Sequence, residues 1–152
     1  MSRLLLLDAG PLGLLAHPRP TPSSLNCRQW AREMQAAGTP LYVAEIADYE
    51  VRRELVRARK VQGIERLNQL KVDFGYIPLT TATMLQAAAY WAYLRQQGKP
   101  TAHAEALDGD VILAAQAALL IGAGHTVIIA TTNVGHLSRL VPAEEWQHIR
   151  PY

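Results

Sequence analysis

The sequence predicts an α/β fold in which a parallel sheet is covered by helices. Apolar, strand-like runs alternate with helical segments along the chain, which is the pattern of βαβ units. The first run, residues 4–7, consists of four leucines, as expected for a strand buried on both faces. A length of 152 residues with 49% hydrophobic composition suits one compact domain, residues 1–152.

The first half of the chain contains two predicted strands. The leucine run ends at Asp8, and residues 9–11 turn the chain towards a short helical segment at 11–16. Three alternating prolines then require a loop. Ser23 or Ser24 is expected to cap a helix that runs to about residue 37. Residues 39–43 form the second predicted strand, which leads directly into a charged helix ending near residue 60.

The second half continues the alternation. A helix over about 64–72 precedes a strand at 76–79, and Thr80 or Thr81 caps an alanine-rich helix ending at Gln97. We expect a polar loop over 99–107 and an apolar helix over 108–120. Residues 126–130 are the clearest strand in the sequence, and the polar residues 131–133 follow directly after it. Residues 146–149 are expected to add an edge strand.

Composition narrows the class of protein. The net charge of +2 and the pI near 8.9 are compatible with a polyanionic partner but too weak to establish one. A single cysteine, Cys27, allows no internal disulfide, which favours the reducing cytoplasm. No apolar run is long enough to span a membrane, and the N-terminus lacks the layout of a signal peptide. We therefore expect a soluble, cytoplasmic protein.

Four oxygen-bearing side chains are predicted to meet at one edge of the sheet. Asp8 and Asn133 follow strands, Glu50 lies early in the helix after the second strand, and Asp110 lies in the first turn of a later helix. Carboxylates about 5 Å apart repel each other by roughly 3 kcal/mol per pair. Such a cluster requires a cation, and oxygen ligands favour Mg²⁺ or Mn²⁺. A bound ion of this kind suits phosphodiester hydrolysis.

Basic residues follow Glu50 on the same helix. Arg53 and Arg57 lie three and seven residues after Glu50, so all three share one helical stripe. A phosphate backbone along this stripe would reach the metal at its acidic start. The alternative is an ordinary solvated helix in which the arginines form surface pairs with Glu54.

Four segments taken together resemble the PIN domain, the metal-dependent ribonuclease fold of VapC-type toxins. They are residues 5–12 around Asp8, 43–51 around Glu50, 110–115 from Asp110, and 127–133 up to Asn133. The resemblance implies a doubly wound, three-layer α/β/α sandwich with a short, mostly parallel sheet. It also implies Mg²⁺-dependent endoribonuclease activity, a homodimer and, for toxins, an antitoxin partner. Asp8, Glu50 and Asp110 carry over as metal ligands.

The sequence departs from the family pattern at several points. Asn133 stands where many members have aspartate, and Asp108 adds a fourth candidate ligand close to Asp110. Thr131 or Thr132 could orient a ligand or a substrate phosphate, or simply form a turn. Glu45 and Asp48 compete with Glu50 as ligands, although helical spacing turns Asp48 away from the face of Glu50.

Three functions remain open at this point. The first is a Mg²⁺- or Mn²⁺-dependent endoribonuclease, toxin-like or RNA-processing, with RNA as substrate. The second is a PIN-fold nucleic-acid-binding module with weak or no catalysis, suggested by Asn133 and the low net charge. The third is a Mg²⁺-dependent phosphatase, which is disfavoured because Gly10 occupies the place where such enzymes usually have a second aspartate.

Overall fold

A parallel sheet forms the centre of the chain. The computed structural model describes residues 3–97 and 104–151, and within these ranges the sheet has five strands in the order β3-β2-β1-β4-β5. All four neighbouring pairs are parallel. The strands are β1 (Arg3–Leu7), β2 (Leu41–Ala44), β3 (Gly75–Ile77), β4 (Thr126–Thr131) and β5 (Ala143–Glu145).

Helices connect the strands and cover the sheet on both faces, so the α/β/α prediction is confirmed. The helices of the described residues are α1 (Ala9–Ala16), α2 (Pro22–Ala36), α3 (Glu45–Arg57), α4 (Val61–Asp73), α5 (Thr81–Gln96) and α6 (Ala104–Gly122). Short 3₁₀ turns occur at Leu137–Arg139 and Trp146–His148. No helix in the described part of the chain is both long and apolar enough to cross a membrane.

The central strand β1 fixes the position of the candidate site. Its residues Leu5, Leu6 and Leu7 are completely buried, which confirms a strand covered on both faces. Leu5 pairs with Leu41 of β2 on one side and with Ile128 of β4 on the other. Strands β2 and β3 lie on one side of β1, and strands β4 and β5 lie on the other, so the direction of strand addition reverses at β1. At such a point a crevice opens at the carboxyl ends of the strands.

Three helix starts follow from local capping. Asp8 caps α1, which begins at Ala9 and not at residue 11. Thr21 caps α2 through a reciprocal pair of hydrogen bonds with Ser24, and Pro22 occupies the first turn. The predicted caps Ser23 and Ser24 were therefore wrong by two to three residues. Thr80, one of the two predicted caps, does cap α5.

Two further predictions were wrong. Residues 146–149 do not form the edge strand; β5 precedes them, and Trp146 instead packs edge-on against Trp30, with 5.6 Å between ring centroids. The Trp30 indole N–H donates to the Ile149 carbonyl, which ties this segment to α2. The polar loop predicted over 99–107 was also wrong at its end, because α6 already begins at Ala104. Residues 99–103 lie outside the described residues.

Candidate active site

Asp8 is held firmly at the carboxyl end of β1. Its Oδ1 accepts a hydrogen bond from the Ala9 backbone N–H at 2.7 Å, and its Oδ2 accepts one from the Thr131 hydroxyl at 2.7 Å. Its own N–H donates to the Ala130 carbonyl of β4 at 2.9 Å. Hydrogen bonds thus fix both carboxylate oxygens and the backbone of Asp8 at the point where the pairing of β1 with β4 ends.

Thr131 acts on Asp8 from the end of β4. The residue is 1% exposed, and its hydroxyl oxygen also accepts a hydrogen bond from the Asn133 N–H at 3.1 Å. Of the roles considered from sequence, the structure favours orientation of the Asp8 carboxylate together with shaping of the turn. Little of Thr131 remains accessible for direct contact with a substrate.

Asp8, Glu50 and Asp110 form one electrostatic cluster. Burial, followed by the charges of Asp8 and Glu50, raises the pKa of Asp110 from 3.8 to about 7. Burial and the charge of Asp8 also raise the pKa of Glu50, while Arg53 lowers it. Burial raises the pKa of Asp8, against the opposing hydrogen bonds from Thr131 and Ala9. The three acids, 102 residues apart along the chain from first to last, therefore lie close enough to repel one another.

Helices α3 and α6 touch directly inside this cluster. The Glu50 carboxylate lies against Gly109 of α6, where an added Cβ would come within 2.6 Å of Glu50 Oε2. Gly109 immediately precedes Asp110, so this contact places the two acids side by side. Sequence reasoning missed Gly109. The available signal was a glycine inside an alanine-rich helix, directly before a candidate ligand.

The cluster is not a preassembled metal cage. Among the side chains that the structure describes, no three His, Cys, Asp or Glu residues are already arranged as the ligands of a metal ion, so binding of an ion would require the acids to draw closer together. The donor set nonetheless has the chemistry that a hard divalent ion requires, because it consists of carboxylate oxygens that repel one another. A cation bound here would neutralise that repulsion.

One predicted site residue, Asp108, is not brought into the cluster, and the side chain of another, Asn133, is engaged in a turn near Asp8. Asp108 is exposed and lines a groove with Met84 and Trp91 of α5. The cause is helical geometry, because two positions along a helix correspond to a rotation of about 200° about its axis, which places Asp108 and Asp110 on nearly opposite faces of α6. Asn133 lies at the same edge of the sheet, but its side-chain oxygen accepts a hydrogen bond from the Gly135 N–H at 3.1 Å and so stabilises the turn.

The basic residues of α3 make surface contacts near Glu50. Arg53 lies over the Tyr49 ring, 5.2 Å from its centroid, and is close enough to Glu50 to lower its pKa. Arg57 forms an exposed pair with Glu54 at 2.7 Å, as the surface-pair alternative proposed. Arg57 also lines a groove of about 730 Å³, together with Glu50, Lys60 and Arg19.

The competing acids of α3 have structural partners. Asp48 is buried and forms ion pairs with Arg52 at 2.9 Å and Lys71 at 3.4 Å. Glu45 accepts a hydrogen bond from the Leu79 N–H at 2.7 Å, which fixes the chain after β3. These contacts leave Glu50 as the acid of α3 that faces Asp8 and Asp110.

Comparisons with known proteins identify the architecture. No protein-family model matches the chain, and no curated protein matches it significantly. Among solved structures, VapBC2 from Rickettsia felis bound to a promoter DNA fragment contains a similar chain, with a TM-score of 0.68 and 14% identity over 94% of this chain and 98% of that one. VapBC-1 from nontypeable Haemophilus influenzae gives 0.63 and 17%, over 95% and 98%. DNA-bound VapBC from Salmonella typhimurium gives 0.61 and 15%, over 96% and 99%.

Proposed function

We propose that this chain, which has the PIN fold, is a Mg²⁺- or Mn²⁺-dependent endoribonuclease and the toxin of a toxin–antitoxin pair. The observation that carries the proposal is the mutual repulsion of Asp8, Glu50 and Asp110 at the point where the strand order reverses. Burying acids together costs stability, so a functional reason for the arrangement is expected. The likeness to VapBC chains, which extends over nearly the whole length, supports the same conclusion.

Asp8, Glu50 and Asp110 are the residues that would hold the ion. When bound, such an ion polarises a phosphoryl oxygen and lowers the pKa of its water. Asp8 is oriented for this role by Thr131 and by the Ala9 N–H. In the metal-free protein the pKa of the Asp110 carboxyl is about 7, so a cation that binds near neutral pH would displace its proton. Asn133 at the rim would add an amide oxygen without a charge.

RNA is the proposed substrate, and the groove beside Glu50 is its proposed path. Arg57, Lys60 and Arg19 line this groove and would contact phosphates, while Arg53 lies near Glu50 but outside the groove. Contacts of this kind position a backbone without reading its sequence. Both side chains of the Arg57–Glu54 ion pair are exposed to solvent. Little free energy is therefore lost when a phosphate replaces Glu54 as the partner of Arg57.

The proposed partners follow from the same resemblance. The neighbours are VapBC assemblies, two of them bound to DNA, which supports an antitoxin partner for this chain. We also propose a homodimer in the cytoplasm. Met84, Leu85 and Tyr93 of α5, each at least 46% exposed, provide apolar surface for such an association.

The test is a cleavage assay with RNA in the presence and absence of Mg²⁺ and Mn²⁺. Asp8→Asn and Asp110→Asn protein should each lose metal-dependent cleavage, while Asp73→Asn, which changes an exposed acid of α4, should retain it. Cleavage that survives both site substitutions would refute the proposal. Far-UV circular dichroism of each variant shows whether a loss reflects unfolding.

A non-catalytic nucleic-acid-binding module is the second candidate. It is favoured by the neutral Asn133, whose amide oxygen is already engaged by Gly135. This candidate predicts RNA affinity that depends on Arg19, Arg57 and Lys60 of the groove, but no turnover with Mg²⁺, Mn²⁺ or other divalent ions. Binding measured by fluorescence anisotropy alongside the cleavage assay distinguishes the two candidates.

A further inference from the structure

Gly109 occupies the contact between the two helices that carry Glu50 and Asp110. A Cβ added at this position would lie 2.6 Å from Oε2, 3.1 Å from Cδ and 3.3 Å from Oε1 of Glu50. The three nearest atoms all belong to the Glu50 carboxyl group. The Glu50 carboxylate therefore occupies the space that a side chain at position 109 would fill.

Glycine is an unexpected residue at this position on local grounds. Gly109 lies inside α6, between Leu107 and Val111 and well away from either end of the helix. A helix-interior glycine is less favourable than alanine, and alanine is the commonest residue of α6. The sequence thus accepts a local cost at the point where the Glu50 carboxylate approaches.

We propose that Gly109 is a positioning residue of the metal site, which lets the Glu50 carboxylate lie beside Asp110. This inference rests on the proposed function, because it assumes that Glu50 is a ligand. An alanine methyl would push the carboxylate away from α6. The displaced group is the end of a flexible side chain, so the fold can absorb the change by rotating Glu50, whereas the ligand geometry cannot.

A purely structural role makes the opposite prediction. If Gly109 served only the close packing of α3 on α6, alanine would force the helices apart and lower the melting temperature. If Gly109 serves Glu50, alanine leaves the metal-free melting temperature unchanged or raises it by up to about 4 °C through better helix propensity. Stability and metal affinity then change in different directions.

The experiment measures Mn²⁺ affinity by electron paramagnetic resonance and metal-free melting by circular dichroism. The proteins are wild type, Gly109→Ala, Glu50→Ala and the double variant. Gly122→Ala is the matched control, because Gly122 belongs to the same helix and an added Cβ there has no atom within 4 Å. We expect Gly109→Ala to weaken Mn²⁺ binding by on the order of 10- to 100-fold, as loss of a group that orients a ligand does. Gly122→Ala should bind like wild type.

The double variant identifies the route of the effect. Because Gly109 acts through Glu50, Gly109→Ala should cause no further loss of Mn²⁺ affinity once Glu50 is alanine. Wild-type affinity in Gly109→Ala, full additivity in the double variant, or a marked fall in melting temperature would each overturn the inference while leaving the proposed function intact. Failure of the wild type to bind Mn²⁺, or an unchanged affinity in Glu50→Ala, would overturn both.

Discussion

Replacing Asp110 by asparagine should stabilise the metal-free protein above neutral pH. The cluster holds the pKa of Asp110 at about 7, against 3.8 for an ordinary aspartate, chiefly through burial and then through Asp8 and Glu50. At about 1.4 kcal/mol per pKa unit this shift corresponds to roughly 4 kcal/mol. The carboxyl group is partly exposed, so screening by water reduces the expected effect to about 2 kcal/mol.

The sign follows from where the proton is bound. Between pH 3.8 and about 7 the unfolded chain has released the Asp110 proton while the folded chain still holds it. The free energy of unfolding therefore falls as pH rises through this window and stays low above it. Asparagine has no proton to release, so its advantage is absent below about pH 4 and complete above about pH 7.

Thermal melting from pH 3.5 to 8.5 in the presence of EDTA measures the effect. For a domain of this size, 2 kcal/mol raises the melting temperature by about 4 to 8 °C. Asp108→Asn is the control, since it makes the same chemical change on an exposed side chain two residues away and should alter stability little. An Asp110→Asn protein that is no more stable than wild type at pH 8, or equally stabilised at pH 3.5, would refute the reasoning.

Three further substitutions separate orientation, substrate contact and scaffold. Thr131→Val removes the hydrogen bond to Asp8 and should lower the rate of single-turnover cleavage by on the order of 10- to 100-fold. Thr131→Ser keeps the hydroxyl and should retain activity. Equal cleavage rates for the two variants would exclude an orienting role for Thr131. Arg57→Ala should weaken RNA binding and reduce the slope of log affinity against log salt by about 0.7, and an unchanged slope in anisotropy titrations would remove Arg57 from the interface. Asp48→Ala leaves Arg52 and Lys71 without their shared partner and should cost about 1–3 kcal/mol in urea unfolding, with Mn²⁺ affinity preserved; a matching loss of affinity would make Asp48 part of the site.

Strands at the centre of the sheet could be predicted because their sequences allow few alternatives. Residues of β1 and β4 are apolar in succession and end at polar residues, which is typical of a strand covered on both faces. The end of the chain lacks this constraint. Trp146 and Ile149 are apolar enough for a strand, but the contact with Trp30 determines their conformation, and that contact joins residues 116 positions apart.

The meeting of Asp8 with Glu50 could also be predicted, because it follows from connectivity. In a parallel sheet every strand ends at the same edge, so an acid after β1 and an acid early in α3 lie near each other whatever the details of packing. The partners of those acids are a different matter. The hydrogen bond from Thr131 depends on the register of β1 against β4, in which Leu7 pairs with Ala130, and no local pattern specifies that register.

Helix α6 explains why Asp108 and Asp110 could not be distinguished from sequence. Three, four and seven residues after Asp110 lie Leu113, Ala114 and Ala117, which are buried in the core around the sheet. At corresponding spacings after Asp108 lie Val111 and Ala115, which are buried against α5. Because α6 is apolar along both stripes, its periodicity does not reveal which stripe faces the sheet.

Packing resolves this ambiguity by fixing which stripe of α6 faces the sheet. The rotation of α6 about its axis turns Asp110 towards Asp8 and Glu50 while Asp108 faces α5. The same rotation turns Gly109 towards α3, where the Glu50 carboxylate occupies the space that a side chain would fill. The identity of the third acid is therefore set by contacts between helices, which the periodicity of α6 alone does not reveal.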